Sequence, residues 1–183
     1  MLTDLSVGML QTAIEEAKRR AFAIRLSVCN MESLPFRSRQ FDIVMAIHVI
    51  YHLADIPRGL KELARVMKPE GRLLATTNSD KIRVTIITLH YQALEILGIP
   101  FMPEGPSTFS LENGGELLAA HFRRVVRYSY EEEELFDNAA RFRAVYETIG
   151  RYRNLLSRND INDRAKQNLP HVVEQLLMFT KVA

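Results

Sequence analysis

The sequence predicts an α/β protein built on a mostly parallel sheet, and three observations carry this prediction. FDIVMAI, Phe41 to Ile47, is a nearly continuous apolar run of strand length, typical of a strand buried on both faces of a parallel sheet. Asp55, Ile56 and Pro57 then mark the start of a helix, because proline is tolerated in a first helical turn. RLLATTN follows as a second strand, and strand, helix and strand with short links are the pattern of a parallel crossover.

Composition and charge restrict the class of protein. The chain has 183 residues, 47% of them hydrophobic and 25% charged, and a net charge of +2, which are ordinary values for one globular domain. The near balance of charge argues against a nucleic-acid or membrane-surface protein, and no apolar run approaches the ~20 residues of a membrane span. The single cysteine, Cys29, excludes an internal disulfide and a cysteine-based zinc site. We expect a reducing, cytoplasmic setting.

The first elements follow from residue spacing. Leu10, Ala13, Ile14 and Ala17 recur at helical intervals and predict a helix from about Val7 to Arg20, with Ser6 as its N-cap. The run from Ala23 to Cys29 is typical of a strand, and NMESLPFRSRQ is a polar loop. KPEG, Lys68 to Gly71, is predicted to break the helix that starts at Ile56.

Helices alternate with short extended runs in the second half. The predicted helices lie near Lys81 to Leu97, near Leu111 to His121, within Asp137 to Tyr152 and within Asn162 to Val173. GIPFMPEGP, rich in proline and glycine, must be a loop. A strand is predicted from Phe122 to Tyr130, and LLMFTKV is interpreted as a closing strand. A helix that continues through Leu176 is the alternative.

Several short motifs, in this order and spacing, resemble class I S-adenosylmethionine-dependent methyltransferases, in particular the small-molecule, type 11 kind that includes quinone-biosynthesis enzymes. The resemblance runs from about Thr3 to Thr77, and FSLENGGELLAAHFRRVV extends it. The motifs are Asp-Leu-Ser with Met9-Leu10 after it, Leu34-Pro35-Phe36, Phe41-Asp42, His52 to Asp55, and Leu63 to Gly71. This resemblance implies a Rossmann-like sheet ordered 3-2-1-4-5-7-6, with an antiparallel last strand.

The resemblance also implies a cofactor and its contacts. S-adenosylmethionine would lie across the carboxyl ends of the strands. Asp4 would accept hydrogen bonds from the ribose hydroxyls, and Leu5 would pack on the adenine. Asn30 stands where the family usually has Asp and would accept from the adenine amine, without charge assistance. The backbone at Met31 would meet an adenine ring nitrogen, and Ala46 would face the methionine moiety.

One part of the family pattern is missing. The glycine-rich loop GxGxG, which follows the family's first strand, occurs nowhere among the eight glycines. We therefore expect an N-terminally truncated sheet that lacks its first strand and most of its second. The family's fourth strand, Phe41 to Ile47 here, would then have an unpaired edge and an exposed apolar face. Either the third strand pairs with the fourth instead, or another copy of the chain covers this edge in a homo-oligomer.

Methyl transfer from a sulfonium mainly needs positioning of the two reactants, and a base only where the acceptor must lose a proton. His48 and His52, just past the fourth strand, are the candidate catalytic residues. Three interpretations stay open: a base or acceptor-binding role, a metal-chelating pair, or packing without chemistry. No third metal ligand lies nearby in sequence, so we expect no metal site.

These inferences describe residues 1–183 as a single methyltransferase-like domain, with residues 80–110 as a substrate-cover insertion. The expected function is methyl transfer from S-adenosylmethionine to a small-molecule acceptor, impaired by the missing loop. A non-catalytic remnant or scaffold protein that keeps the fold is the alternative. A nicotinamide-dependent dehydrogenase is a weaker rival, since an acidic ribose-binding strand tip also occurs there.

Overall fold

A computed structural model describes residues 1–82, 84–131 and 135–179, with all side chains except those of residues 178 and 179. The strands are β1 (Leu2–Asp4), β2 (Leu26–Val28), β3 (Phe41–Ile47) and β4 (Met67–Thr76). The helices are α1 (Val7–Arg19), α2 (Ile56–Val66), α3 (Val84–Ile96), α4 (Gly114–Ala119), α5 (Ala139–Tyr146), α6 (Gly150–Leu156) and α7 (Asp163–Phe179), with a 3-10 helix at Ile50–His52. In these ranges, no helix combines the length and apolarity needed to cross a membrane.

The strands form two parallel pairs, which confirms the α/β fold class. β1 pairs with β2, and Asp4 lies opposite Val28. β3 pairs with β4, and Ala46 lies opposite Ala75. Ser6 caps α1 and Asp55 caps α2, as the sequence predicts, and each side chain accepts a backbone N–H of the first turn.

The chain divides into two compact units, each with its own apolar core. The first comprises Met1–Asp80 and Pro106–Tyr128, and the second comprises Lys81–Gly105 and the described part of Ser129–Ala183. Residues from β3, α2 and the segment before α4 form the first core, with Ala46, Leu60 and Phe109 at its centre. Helices α3, α5, α6 and α7 build the second core, around Phe142 and Tyr146.

β3 is covered on one face only, so the prediction that it is buried on both faces is wrong. Ala46 is buried against α2, and Val44 packs beside it. On the opposite face, the exposed fractions of Ile43, Met45 and Ile47 are 66%, 61% and 47%. Among the described residues, β3 has only β4 as a sheet neighbour. The unpaired edge and exposed apolar face expected for this strand are therefore present.

β4 begins earlier than predicted, because KPEG lies inside the strand. Helix α2 ends at Val66, and Met67 already belongs to β4. A register shift between Phe41 and Ile43 accommodates the start of the pairing. A Cβ on Gly71 would lie 3.0 to 3.1 Å from three backbone oxygens, those of Lys68, Asp42 and Phe41. Glycine is thus needed for this close approach of the two strands.

The second half contains more helix than predicted. LLMFTKV is not a closing strand over residues 176–179, which belong to α7, while residues 180–182 lie outside the described residues. The helical alternative through Leu176 is confirmed, because Leu169 and Val173 are fully buried and Leu176 continues their spacing on the same core.

Two further elements differ from the predictions. Residues 122–130 form no strand, so the described residues contain no antiparallel pairing. Tyr128 and Tyr130 are 77% and 89% exposed, which shows that this run has no sheet to bury it. The helix predicted within Asp137 to Tyr152 is divided into α5 and α6, because residues 147–149 form a turn.

Candidate functional site

The tip of β1 presents a carboxylate at the start of a helix. Asp4 is half-buried, and its Oδ1 accepts a hydrogen bond of 2.8 Å from the Ser6 N–H. Its Oδ2 accepts no hydrogen bond from another described residue and is free for a ligand. The next side chain, Leu5, is 69% exposed and offers an apolar surface. The free carboxylate oxygen of Asp4 can accept hydrogen bonds from ligand hydroxyls, and the exposed leucine beside it can pack on a flat apolar part of the same ligand.

The tip of β2 lies beside it, as predicted. The Cys29 N–H donates to the Asp4 carbonyl at 3.1 Å, which extends the parallel pairing by one step. Asn30 follows and is exposed, and its Oδ1 accepts from the Glu32 N–H at 2.9 Å. Met31 packs its side chain against the first core, so only its backbone is available to a ligand.

The loop after β2 is fixed to α2 at two points. The Glu32 carboxylate accepts the N–H groups of Ala54 and Asp55 at 2.8 and 3.1 Å, and Arg58 donates to the Glu32 carbonyl. Further along, the Arg65 guanidinium donates to the carbonyls of Leu34 and Phe36 at 2.9 and 2.8 Å. These contacts hold the loop that carries Asn30 in one conformation before any ligand binds.

Arg65 also forms a two-point ion pair with Glu62, at 2.7 and 2.8 Å. This hydrogen bond lowers the pKa of Glu62, although partial burial opposes the shift. The carboxylate therefore stays charged while it also accepts the Leu34 N–H.

The carboxyl end of β3 carries the histidine candidates. The Ala46 side chain is 1% exposed and belongs to the core, so a ligand could reach this residue only through its backbone. His48 and His52 are exposed, and the Tyr51 ring lies 4.4 Å from that of His52, centroid to centroid. In the described part of the chain, no group of three or more histidine, cysteine, aspartate or glutamate side chains is arranged to hold a metal ion.

Residues 107–113 lie beside the carboxyl ends of β3 and β4 and form a further wall of the site. The sequence reasoning missed this wall. Thr108 Oγ1 donates to the Tyr51 carbonyl at 3.3 Å, and Thr77 Oγ1 donates to the Phe109 carbonyl at 2.9 Å. The Glu112 carboxylate accepts from the Ser79 hydroxyl at 2.6 Å and from the Asp80 N–H at 2.9 Å. These two hydrogen bonds, led by that of Ser79, lower the pKa of Glu112 to about 2.

An open cavity of about 410 Å³ lies along this wall, lined by Thr108, Asn113, Glu116, Leu117 and Ala120. Among the aromatic, histidine and methionine side chains of residues 80–110, the predicted substrate cover, Phe109 and His90 are buried in the cores of their own units. Tyr91 and Phe101 stack on each other at 4.9 Å and pack against the second core, whereas Met102 is 88% exposed. Core packing therefore accounts for most of this set.

Comparison with known proteins agrees with this geometry. The sequence profile of the methyltransferase domain family matches residues 1–75. The ubiquinone/menaquinone biosynthesis C-methyltransferase UbiE of Bordetella parapertussis is 34% identical over 73 residues, which are 40% of this chain and 28% of that protein. UbiE of Rickettsia rickettsii is 28% identical over 165 residues, which cover 84% of this chain and 59% of that protein. The chain thus spans less than two thirds of either relative.

The fold is shared with a solved structure. The YcgJ protein from Bacillus subtilis aligns with a TM-score of 0.53 and 21% identity, over 91% of this chain and 70% of that one. The matched residues 1–75 include both strand tips, β3, α2 and all but the last residue of β4. Residues 1–75 of this chain thus match the methyltransferase domain family, and this match implies S-adenosylmethionine as the cofactor.

Proposed function

We propose that this chain binds S-adenosylmethionine at the tips of β1 and β2 and transfers its methyl group to a small-molecule acceptor. The observation that carries the proposal is the parallel pairing of the two tips, with Asp4 opposite Val28 and Asn30 two residues beyond it. Asp4 Oδ2 would accept from the ribose hydroxyls, since its Oδ1 already bonds Ser6. The exposed Leu5 side chain would cover one face of the adenine.

The residues on the second tip fit the same ligand. Asn30 Oδ1 can accept a second hydrogen bond, from the adenine amine, because an amide oxygen has two lone pairs. The Met31 backbone would meet the ring. The cofactor, when bound, supplies an electrophilic methyl group on a sulfonium. The chain's part is then to hold the acceptor in line with that methyl and to exclude water.

The acceptor side is proposed to lie at the carboxyl ends of β3 and β4. His48 and His52 are exposed there, and neither is used by the core. The matched relatives are named for ubiquinone and menaquinone biosynthesis, which makes an aromatic quinol the first acceptor to test. A substrate cover formed by residues 80–110 and a cytoplasmic setting, inferred from the lone Cys29, complete the proposal.

Calorimetric titration with S-adenosylmethionine tests the cofactor site. We expect saturable heat for the chain and none for Asp4→Ala. Asp42→Ala is the matched control, because Asp42 is also a strand carboxylate but contacts Lys68 instead. Transfer of a labelled methyl group to a 1,4-naphthoquinol then tests catalysis. Absence of binding heat at millimolar S-adenosylmethionine would favour the scaffold alternative. Binding heat without methyl transfer to any acceptor would indicate that the chain binds the cofactor but is not a methyltransferase.

We also propose that the chain self-associates through the exposed face of β3. Ile43, Met45, Ile47 and Leu74 lie on that face and together form an apolar patch of the kind that marks interfaces. Sedimentation velocity over a hundredfold range of concentration is the test. Met45→Gln should shift the chain towards monomer, whereas Met102→Gln, at a more exposed methionine, should not. A wild-type chain that stays monomeric throughout would refute the association.

A further inference from the structure

His48 has a left-handed backbone conformation, although no helix end or glycine turn explains it. Three non-glycine residues in the described ranges have a positive φ: Ala21 at 52°, Arg39 at 58° and His48 at 49°. Ala21 follows the end of α1 and closes its last turn, with the Phe22 N–H bonded to the Ala17 carbonyl. The Arg39 N–H donates to the carbonyl of Arg65, which lies in the last turn of α2. His48, in contrast, directly follows a strand.

Thr76, the last residue of β4, holds this conformation. The His48 N–H donates both to the Thr76 carbonyl, at 3.2 Å, and to Thr76 Oγ1, at 3.1 Å. Ile47 lies opposite Thr76 in the parallel pairing, so the contact closes the sheet at its carboxyl end. A threonine hydroxyl supplies the second acceptor, which an apolar side chain of similar shape would not.

The turn changes where the imidazole lies. Side chains alternate along β3, and Ala46, two residues earlier, is buried in the first core. An extended His48 would continue that buried row. The left-handed backbone instead leaves the imidazole exposed, at the strand ends where α/β proteins bind ligands. Strained backbone of this kind concentrates at functional sites.

We infer that Thr76 is a positioning residue, which holds His48 in the left-handed conformation so that its imidazole hydrogen-bonds a hydroxyl or carbonyl of the acceptor. This inference rests on the proposed function and deepens it, because it assigns the acceptor class and one residue that acts through another. His48 would bind the acceptor equally in the ground and transition states. Its loss is then felt in KM rather than in kcat.

A double-mutant cycle of Thr76→Val and His48→Gly tests the inference, with S-adenosylmethionine saturating and a 1,4-naphthoquinol as acceptor. Thr76→Val should raise the acceptor KM about tenfold, the value of one hydrogen bond, and change kcat by less than about twofold. Thr76→Ser, which restores the hydroxyl, should return KM to within about twofold of wild type. In the His48→Gly background, Thr76→Val should have no further effect on KM.

Stability gives a second readout that does not need an acceptor. His48→Gly should raise Tm by about 2–4 °C, since glycine adopts a positive φ without strain. Thr148→Val is the control for losing a threonine hydroxyl, because Thr148 Oγ1 donates to the Val145 carbonyl elsewhere in the chain. It should lower Tm without changing KM.

The outcomes separate this inference from the proposed function. The inference alone would be overturned if Thr76→Val turned over with an unchanged acceptor KM. It would also be overturned if Thr76→Val raised the acceptor KM by the same factor in the His48→Gly background as in the wild type. A wild-type chain without cofactor heat or methyl transfer would overturn the proposed function and the acceptor role together. A Tm that falls in His48→Gly would refute the strain on which the positioning depends.

Discussion

Asp4 and Asn30 make the same contact at neighbouring strand tips: each Oδ1 accepts the backbone N–H of the residue two positions later, at 2.8 and 2.9 Å. Each side chain is thereby fixed by its own loop before a ligand arrives. The two residues differ in charge, and this difference decides how strongly each can hold a ligand donor.

Replacing Asn30 with Asp should tighten S-adenosylmethionine binding about tenfold, because a charged acceptor strengthens the hydrogen bond from the adenine amine. The bond to the Glu32 N–H is kept, since either side chain can accept it. Asp4→Asn should weaken binding by a similar factor. Calorimetry measures both, and an Asn30→Asp chain that binds no more tightly would exclude Asn30 from the adenine site.

The ends of α1 and α3 allow a matched test of backbone strain. Ala21 has a φ of 52° where helices prefer glycine, whereas Gly98 has a φ of 63° after α3. Ala21→Gly should therefore stabilise the chain by about 0.5–1 kcal/mol, and Gly98→Ala should destabilise it by about 1 kcal/mol. No heavy atom lies within 4 Å of a Cβ built on Gly98, so its effect is purely conformational.

Urea unfolding at one pH measures both variants, and the slope of the transition should stay constant. Two shifts of the same sign would show that the left-handed conformations do not control stability at these positions.

His90 makes stability depend on pH. The side chain is 2% exposed, with its Nδ1 2.7 Å from the Tyr146 hydroxyl. Burial, with a smaller contribution from the charge of Arg151, lowers the pKa of His90 from 6.5 to about 4. Between these values the unfolded chain binds the proton more readily, so stability is full above pH 6.5 and falls as the pH drops to 4. The loss should reach about 3 kcal/mol.

His90→Asn checks the assignment, because the amide can still bond the Tyr146 hydroxyl but does not titrate. Urea midpoints measured from pH 7.5 to 4.5 should fall less steeply for this variant than for wild type. Equal slopes for the two chains would assign the pH dependence to other groups.

Arg65 should resist replacement by lysine. Its guanidinium donates to Glu62 and to the carbonyls of Leu34 and Phe36, a planar fork that an ammonium cannot reproduce. Arg65→Lys should lower Tm by about 3 °C. Arg19→Lys is the control, because Arg19 also pairs with a glutamate, Glu16, but on an exposed helix surface where such pairs contribute little. A similar Tm for both variants would show that the hydrogen bonds from Arg65 to the loop carbonyls do not contribute to stability.

The sequence predicts the bounds of β3 correctly, because a nearly continuous apolar run of strand length that is rich in β-branched side chains favours a strand over a helix. It also predicts the start of α2, from an N-cap aspartate followed by proline. LLMF, in contrast, is too short an apolar run to distinguish period 2 from period 3.6. Its helical state is decided by the burial of Leu169 and Val173 in the second core.

The strand tips could be predicted from the family pattern, but the rest of the site could not. Thr76 and His48 meet because β3 and β4 pair in one particular register, 28 residues apart in sequence. Glu112 reaches Ser79 across 33 residues. No local sequence pattern encodes such pairs, since hydroxyl and carboxylate side chains are also common on solvent-exposed loops that have no function.

Gly71 has a consequence for the tolerance of this domain to change. The atoms that a methyl group there would crowd are all backbone oxygens, which cannot rotate aside as the end of a long side chain can. In a library of random variants, the neighbouring exposed positions Lys68 and Glu70 should accept most amino acids. Position 71 should stay almost invariant, although it contributes no side chain of its own.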